Sequence, residues 1–528
     1  MSHRFLLLPC LFAAMLFAPG SGMLNPGSGM LNPGSGVATA ADPNAKPPNI
    51  VLVFMDDMGY ADINAFGEND YTTKHLNRLA KEGRVFRDFV VSSAVCSASR
   101  AALLTGCYHR RVGIQGALGP KSKIGLHPDE TTIAEVCKSR GYATACFGKW
   151  HLGHEPKFLP HRQGFDTYFG IPYSNDMWPL HPASVARRKK DPTAEIAWPA
   201  LPLIESDASG YRIVNPDMQP ADQKQLTGQL TTRACDFIRQ HRDTPFFVYL
   251  PHPMVHVPLY CGEPFEGKSG VGLFGDVMLE VDDSIGRLLA AIDEIDAVEN
   301  TLVIFTSDNG PWLSYGEHAG SAMPLREGKG TMWEGGYREP TIMRLPGRIP
   351  AGTETETLAS TIDLLPTVAK LIGADLPDQK IDGKDISGLM FGTSQESPHE
   401  AFYGYYAGEL QIVRDDCWKL VLPHRYRTLA GRQPGRGGRP SGYSQAQTDW
   451  ALYDLDNDVG EAKNVWDQHP EVVKRLRAAA DAAIVELGNR GEPNPNGRNA
   501  VGTNTKGTGV RPPGRLRADD ERLPLKWQ

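Results

Sequence analysis

Four short, unbroken apolar runs organise the chain: residues 50–55, 142–147, 246–250 and 302–306. Their length and their β-branched and aromatic content predict strands. The segments between them carry helical periodicity. Thr73 is placed to cap a helix over 74–82 closed by Gly83, and Thr131 to cap one that runs to Arg140 and is closed by Gly141. Val277, Val281, Ile285, Leu288 and Ile292 recur at helical spacing and read as core. Continuous apolar strands alternating with helices predict an α/β fold, a mostly parallel sheet sandwiched by helices. Further on, 403–406, 410–414, 418–422 and 451–455 read as short strands, followed by a helix over 470–487.

The polar residues after each long strand change the picture from fold to chemistry. Asp56 and Asp57 follow the first run, Lys149 and His151 the second, His252 and His256 the third, and Asp308 and Asn309 the fourth. Ligands of open α/β sheets bind beyond the carboxyl ends of the strands, so these four sets should gather on one edge. Cys96 and Arg100 are four residues apart in a small-residue segment. If a helix starts near Cys96, both share one face and Cys96 sits at the positive helix end. A Cys–His nucleophile would use such a cysteine, but it leaves the carboxylates unexplained.

Composition narrows the class. The chain has 528 residues, with 55 Gly and 41 Pro, which suits a loop-rich globular protein. Its formal charge of −7 excludes general nucleic-acid binding through bulk positive charge. No apolar run in its body is long enough to span a membrane. Arg4 and the apolar 5–17 resemble an export signal, and residues 38–40 offer a small-residue cleavage site. Between them a seven-residue repeat, Pro-Gly-Ser-Gly-Met-Leu-Asn, reads as an expansion within a leader over 1–41. Seven cysteines follow the leader, and no Asn-x-Ser/Thr acceptor occurs, which points to export into a bacterial periplasm or the medium. Residues 489–528 read as a flexible basic tail, with eight Lys/Arg against four Asp/Glu after Asn489. The leader carries +1 and the tail +4, so residues 42–489 hold −12.

The stretch Cys96-Ser-Ala-Ser-Arg100-Ala-Ala-Leu-Leu-Thr-Gly106 resembles the signature of the type I, formylglycine-dependent sulfatases. The likeness continues through Gly148-Lys149-Trp150-His151-Leu152-Gly153, Asp56-Asp57, Asp308-Asn309-Gly310, Gly328-Lys329-Gly330 and Glu334-Gly335-Gly336. It covers residues 49–392 and a C-terminal Leu452-Tyr453-Asp454-Leu455, and residues 170–174 and 274–276 are similar to arylsulfatase A-type members. Two positions depart from the commonest pattern: Ala98 stands where Pro is usual, and Val459 likewise.

The resemblance implies an alkaline phosphatase-like catalytic domain over 42–395. A smaller antiparallel-sheet-plus-helix subdomain would occupy 396–488. It implies oxidation of Cys96 to Cα-formylglycine (3-oxoalanine) by a maturation enzyme. One hydroxyl of the hydrated aldehyde would attack sulfur, and loss of the second hydroxyl's proton would expel sulfate, with His151 as the base. Asp56, Asp57, Asp308, Asn309 and residue 96 would ligate a hard cation, Ca²⁺ before Mg²⁺. Lys149 and Lys329 would hold sulfate oxygens, Arg100 would steady the diol, and Ser174 would touch the sulfate or the diol. His256 would contact the ester and, with Lys329, protonate the leaving alcohol. His252 is expected in a subsite, His154 and His161 in loops, and Trp178 and Trp312 in loops able to stack on a ring. The acid-free stretch 424–440 holds Arg425, Arg427, Arg432, Arg436 and Arg439, and reads as an exposed loop or a clamp for a second anionic group. The expected activity is hydrolysis of sulfate monoesters, of aryl sulfates in the test tube and of a sulfated carbohydrate in nature. The alternatives are a phosphonate or phosphate ester hydrolase of the same superfamily and an unmatured sulfate-glycan-binding protein.

Overall fold

Asn49–Met55 forms a strand, β1, in which every residue is buried. Burial on both faces explains the unbroken apolar run: Val51, Val53 and Met55 pack into one hydrophobic layer, Ile50, Leu52 and Phe54 into the other. In the computed structural model, which describes residues 46–490 and 514–515, β1 lies inside a ten-stranded sheet. The other strands are Arg84–Phe86 (β2), Ala143–Lys149 (β3), Thr167–Ile171 (β4), Leu203–Asp207 (β5), Gly210–Asn215 (β6), Phe246–Pro251 (β7), Thr301–Ser307 (β8), Thr341–Arg344 (β9) and Thr353–Thr355 (β10). Their order is β10-β2-β9-β8-β1-β7-β3-β4-β5-β6. The centre, β8 through β4, is parallel; β9 and β5 run antiparallel to it, and β6 pairs antiparallel with β5. The four predicted runs are the four innermost of these strands; the rest are short or half-exposed.

Helices cover both faces. Lys74–Glu82 (α1), Pro220–Gln240 (α4) and Leu273–Glu294 (α5) cover one, and Val277, Val281, Ile285, Leu288 and Ile292 are all in that core. Cys96–Thr105 (α2), Ile133–Lys138 (α3) and Leu364–Ile372 (α6) cover the other. Two caps differ from expectation. α3 is capped by Thr132, not Thr131, because the box needs an acid three residues on: Thr132 Oγ1 accepts from Glu135 N at 3.2 Å and Glu135 Oε2 from Thr132 N at 2.8 Å. That helix also ends at Lys138, and a turn carries the chain to Gly141. α1 starts after Thr73, but its first N–H groups are satisfied by Asp282 of α5, which accepts from His75 N at 3.0 Å and Leu76 N at 2.8 Å.

Beyond residue 400, Phe402–Tyr406 (β11), Glu409–Arg414 (β12), Trp418–Val421 (β13) and a later strand, Ala451–Asp454, form a four-stranded antiparallel sheet. Helix Pro470–Leu487 (α7) packs on it through Val473, Leu476, Ala480 and Ala483. The stretch expected as a loop is instead a hairpin: His424–Thr428 (β14) pairs antiparallel with Ser444–Thr448 (β15), from His424↔Thr448 to Thr428↔Ser444. Its alternation is polar on both faces, so no apolar run announces it. Of the tail, Gly514–Arg515 pairs with Ile124–Gly125. The leader repeat and the rest of the tail lie outside the described residues. All seven described cysteines are free, and no described helix is long and apolar enough to cross a membrane.

Candidate active site

Register brings the polar strand ends together. β1 and β8 finish side by side, Met55 opposite Ser307, and Phe54 lies opposite Pro251 of β7. Asp56-Asp57 and Asp308-Asn309 therefore leave the sheet as neighbours: Asp308 N donates to Met55 O at 3.0 Å and Asp57 N to Asp308 Oδ1 at 3.2 Å. Asp57 (φ 60°) and His151 (φ 58°) are both left-handed, a conformation that costs energy outside glycine and that clusters at functional sites. α2 begins at Cys96 itself, with Val95 extended at the N-cap and Arg100 one turn on.

The charges interlock. Arg100 Nε and Nη2 donate to Asp308 Oδ2 at 3.0 and 2.7 Å, Nη1 to Lys149 O at 3.1 Å, and Nη2 lies 3.4 Å from Asp56 Oδ1. Lys149 Nζ donates to Asp56 Oδ2 at 2.5 Å and to Ser174 Oγ at 3.1 Å. Asp57 Oδ1 accepts from Lys329 Nζ at 2.5 Å and Asn309 Nδ2 at 2.7 Å. His256 Nε2 lies 3.5 Å from Asp57 Oδ2, and its Nδ1 is 2.6 Å from Val257 O. All of these side chains are buried. Asp56, Asp57 and Asp308 face Arg100, Lys149 and Lys329, a balance that leaves room for a bound cation and an anion.

That room has a chemical shape. Asp56 Oδ1, Asp57 Oδ2 and Asn309 Oδ1 are buried with no hydrogen bond. Buried oxygens without donors are costly unless something else coordinates them. Ligand atoms of Asp56, Cys96 and Asp308, and separately of Asp56, Asp57 and His256, lie within 4.8 Å of one another. An oxygen-rich set of this kind fits a hard divalent cation better than zinc. His256 brings an imidazole nitrogen into the second of these groups, an addition to the all-oxygen set the sequence suggests.

Protonation follows from burial and neighbours. Burial pushes Asp56 up, but Lys149, His256, Arg100 and Lys329 outweigh it and hold its carboxyl far below the usual range. Asp308 is pushed up by burial and by Asp56 beside it. Burial raises the Cys96 thiol despite Lys149 and Lys329, which works against a thiolate nucleophile. Burial, then Lys149 and Arg100, drive His151 far down, so it is neutral near pH 7. Both its ring nitrogens are buried without a hydrogen-bond partner among the described residues.

Every site residue singled out from the sequence reaches this cluster: Asp56, Asp57, Cys96, Arg100, Lys149, His151, Ser174, His256, Asp308, Asn309 and Lys329. Arg100 donates to the Asp308 carboxylate and to the Lys149 carbonyl. His252 does not reach the cluster; its Nε2 is 3.0 Å from Ser284 Oγ beneath α5. Trp178 is fully buried and donates to Met218 O at 3.1 Å, so it cannot stack on a substrate. Trp312 can: half-buried, its ring lies 4.7 Å from Lys329 Nζ and 5.6 Å from the His256 ring. His154 lies in a loop, as expected, buried and 3.4 Å from Glu155.

Two residues were missed. Asp176 has a buried, unpaired Oδ1; burial pushes its carboxyl up, and His256, Ser174, Lys149 and Lys329 pull it down further. Its sequence signal is its place two residues after Ser174. Arg427 was grouped with exposed arginines, yet its Nε donates to Lys329 O at 2.9 Å and Nη2 contacts the same oxygen. No sequence signal separates it from Arg425.

Comparison with known proteins is consistent with this geometry. The sulfatase family profile matches residues 48–374, more than half of the chain, and the N-sulphoglucosamine sulphohydrolase C-terminal profile matches 328–430. Human arylsulfatase A is 39% identical over 466 residues, covering 83% of this chain and 89% of its own. Mouse steryl-sulfatase is 33% identical over 85% of this chain and 84% of its own. The crystal structure of PsFucS1 sulfatase from Pseudoalteromonas sp. superposes with a TM-score of 0.75 at 27% identity, covering 83% of this chain and 90% of that one. The chain belongs to the sulfatase family and is an arylsulfatase A-like enzyme that hydrolyses sulfate esters.

Proposed function

We propose that the enzyme is exported and cleaves sulfate monoesters of an anionic carbohydrate, using formylglycine at position 96 and a hard divalent cation, Ca²⁺ before Mg²⁺. The carrying observation is that Cys96, at the start of α2, lies with ligand atoms of Asp56 and Asp308 within 4.8 Å of one another, in a cluster where buried oxygens of Asp56, Asp57 and Asn309 have no hydrogen bond. Oxidised and hydrated, residue 96 would supply the attacking hydroxyl and a second hydroxyl whose deprotonation expels sulfate. Asp56, Asp57, Asp308 and Asn309 would hold the cation, which supplies positive charge to the sulfate oxygens. Lys149 and Lys329 hold sulfate oxygens as point charges, and Ser174, already on Lys149 Nζ, completes that wall. His151, neutral and unpaired, takes the proton from residue 96. His256 and Lys329 face the departing oxygen. Arg100 holds Asp308 and the Lys149 carbonyl in place.

Two observations favour a carbohydrate. Canine N-acetylgalactosamine-6-sulfatase is 38% identical over 69% of this chain and 69% of its own. The outward arginines of the β14–β15 hairpin, Arg425, Arg432, Arg436 and Arg439, are exposed, with no acid between 424 and 448. Their replacement by Ala should raise KM for a polysulfated oligosaccharide.

The test is peptide mass spectrometry across Cys96: formylglycine is about 18 Da lighter than cysteine. Active enzyme with an unmodified Cys96 would sink the mechanism. A fold likeness to a phosphonate monoester hydrolase from Silicibacter pomeroyi (TM-score 0.55, 19% identity) keeps the phosphoester alternative in the experiment. Turnover of an aryl phosphate faster than the matching aryl sulfate would favour it.

A further inference from the structure

Lys329 lies on a loop gripped by β14 at three successive residues. Arg326 Nη2 donates to Tyr426 OH at 3.1 Å, and Thr428 Oγ1 donates to Glu327 Oε1 at 2.6 Å. Between them Arg427 Nε and Nη2 both donate to Lys329 O, the first at 2.9 Å. The guanidinium lies 5.9 Å from the Trp312 ring centroid and 4.7 Å from that of Tyr443. On the other side of the same peptide segment, Lys329 N donates to Pro311 O at 3.0 Å and Gly330 N to Ala94 O at 2.9 Å, next to Cys96. Gly330 has φ +80°, and a Cβ there would meet the Arg427 guanidinium at 2.3–2.5 Å. Glycine at 330 and arginine at 427 are thus complementary. A lysine side chain is long and rotamer-rich, so its ammonium is placed by where its backbone is held and by its terminal partner, here Asp57.

We propose that Arg427 is a positioning residue for Lys329. Its paired hydrogen bonds to the Lys329 carbonyl aim the ammonium at Asp57 and the leaving-group side of the site, which makes the C-terminal hairpin part of the catalytic apparatus. This rests on the reading above that Lys329 assists the departing oxygen.

Leaving-group assistance matters most when the leaving alcohol is a poor one. The test is therefore kcat and KM on a graded series, from 4-nitrophenyl sulfate through phenyl sulfate to an alkyl or sugar sulfate. Displacement of a catalytic group by about 1 Å can cost about 10²-fold. Arg427→Ala should lower kcat by about 10-fold on 4-nitrophenyl sulfate and about 100-fold on the alkyl ester, with Arg427→Lys recovering part. Gly330→Ala, which leaves Arg427 in the sequence but displaces it, should steepen the series the same way and carries the test if Arg427→Ala does not fold. Equal loss along the series, or no loss, in both variants overturns the proposal. Lys329→Ala separates the two readings: if it does not steepen the series, the role of Lys329 fails; if it does and the Arg427 and Gly330 variants do not, the role of Arg427 fails.

Discussion

Among the described residues, two buried clusters of opposite charges are satisfied to different degrees. At the strand ends, Asp56, Asp57 and Asp308 face Arg100, Lys149 and Lys329, yet Asp56 Oδ1, Asp57 Oδ2 and Asn309 Oδ1 lack donors. Beneath the C-terminal sheet, Arg414 pairs with Asp88 and Glu334, Lys419 with Glu334 and Glu461, and Arg338 with Glu334. There all four oxygens of Asp88 and Glu334 receive hydrogen bonds: Asp88 from Arg414, and Glu334 from Tyr337, Lys419, Arg414 and Arg338. The exception in this cluster is Glu461 Oε1, which has no hydrogen bond but lies 2.7 Å from Lys419 Nζ. Carboxylates that meet their donors hold structure together, whereas several bare oxygens converging in one place can take a ligand. Glu334 belongs to the family-like Glu-Gly-Gly motif as firmly as Lys329 belongs to Gly-Lys-Gly, so motif strength alone does not tell a structural charge from a catalytic one.

The comparison can be broken by substitution. The largest effect is expected at His151, whose ring nitrogens have no hydrogen-bond partner among the described residues. His151→Gln, which keeps most of the ring's volume, should cut kcat by about 10²–10⁴-fold while shifting unfolding free energy by no more than about 1 kcal/mol. A large loss of stability in denaturant melts would mean that His151 is structural. Arg414→Ala should do the reverse, costing about 3–5 kcal/mol because Asp88 and Glu334 stay buried without their partner. The kcat of the fraction that remains folded should be unchanged. Added Ca²⁺ should act on the first cluster alone: at about 100 times its Kd it stabilises by about 2.7 kcal/mol, and Asp57→Ala should abolish that gain whereas Arg414→Ala should not. Calorimetry with and without chelator reads both.

The smallest effect is expected at a lone buried carboxyl outside both clusters. Glu280 of α5 accepts from Gly262 N at 2.8 Å, and burial pushes it up to about 7. Its folded pKa lies above the unfolded one, so the native state keeps the proton through the window from about 4.5 to 7. The stability tied to that proton is present at acid pH and lost as pH rises through 7. Glu280→Gln should therefore exceed the wild type by about 1–2 kcal/mol at pH 8 and match it near pH 4.5. A constant difference at both pH values would show that Glu280 does not titrate there.

The innermost sheet was legible because strands buried on both faces must be apolar throughout, and a run such as 50–55 has no other stable place in a domain of this size. The edge strands β5 and β6 and the hairpin β14–β15 were not legible, because half-exposed pairing tolerates polar residues and leaves no periodic signal. The site residues at the strand ends followed from one rule of α/β topology together with the resemblance. The same rule placed His252 beside His256, and only the path of the chain after β7 sends one ring to Ser284 and the other to Asp57.

By itself, then, the chain's sequence determined the α/β class, the central strands, Cys96 and Arg100 on one helix face and the carboxylates at the strand ends. These depend on local pattern and on residue chemistry, which are written along the chain. The tertiary structure alone decided which buried charges are satisfied and which are left open. It also decided that an arginine 98 residues away in sequence holds the carbonyl of Lys329. Hydrogen-bond completion is a property of directions in space, and distant strands must be in register before a donor either meets an acceptor or leaves it bare.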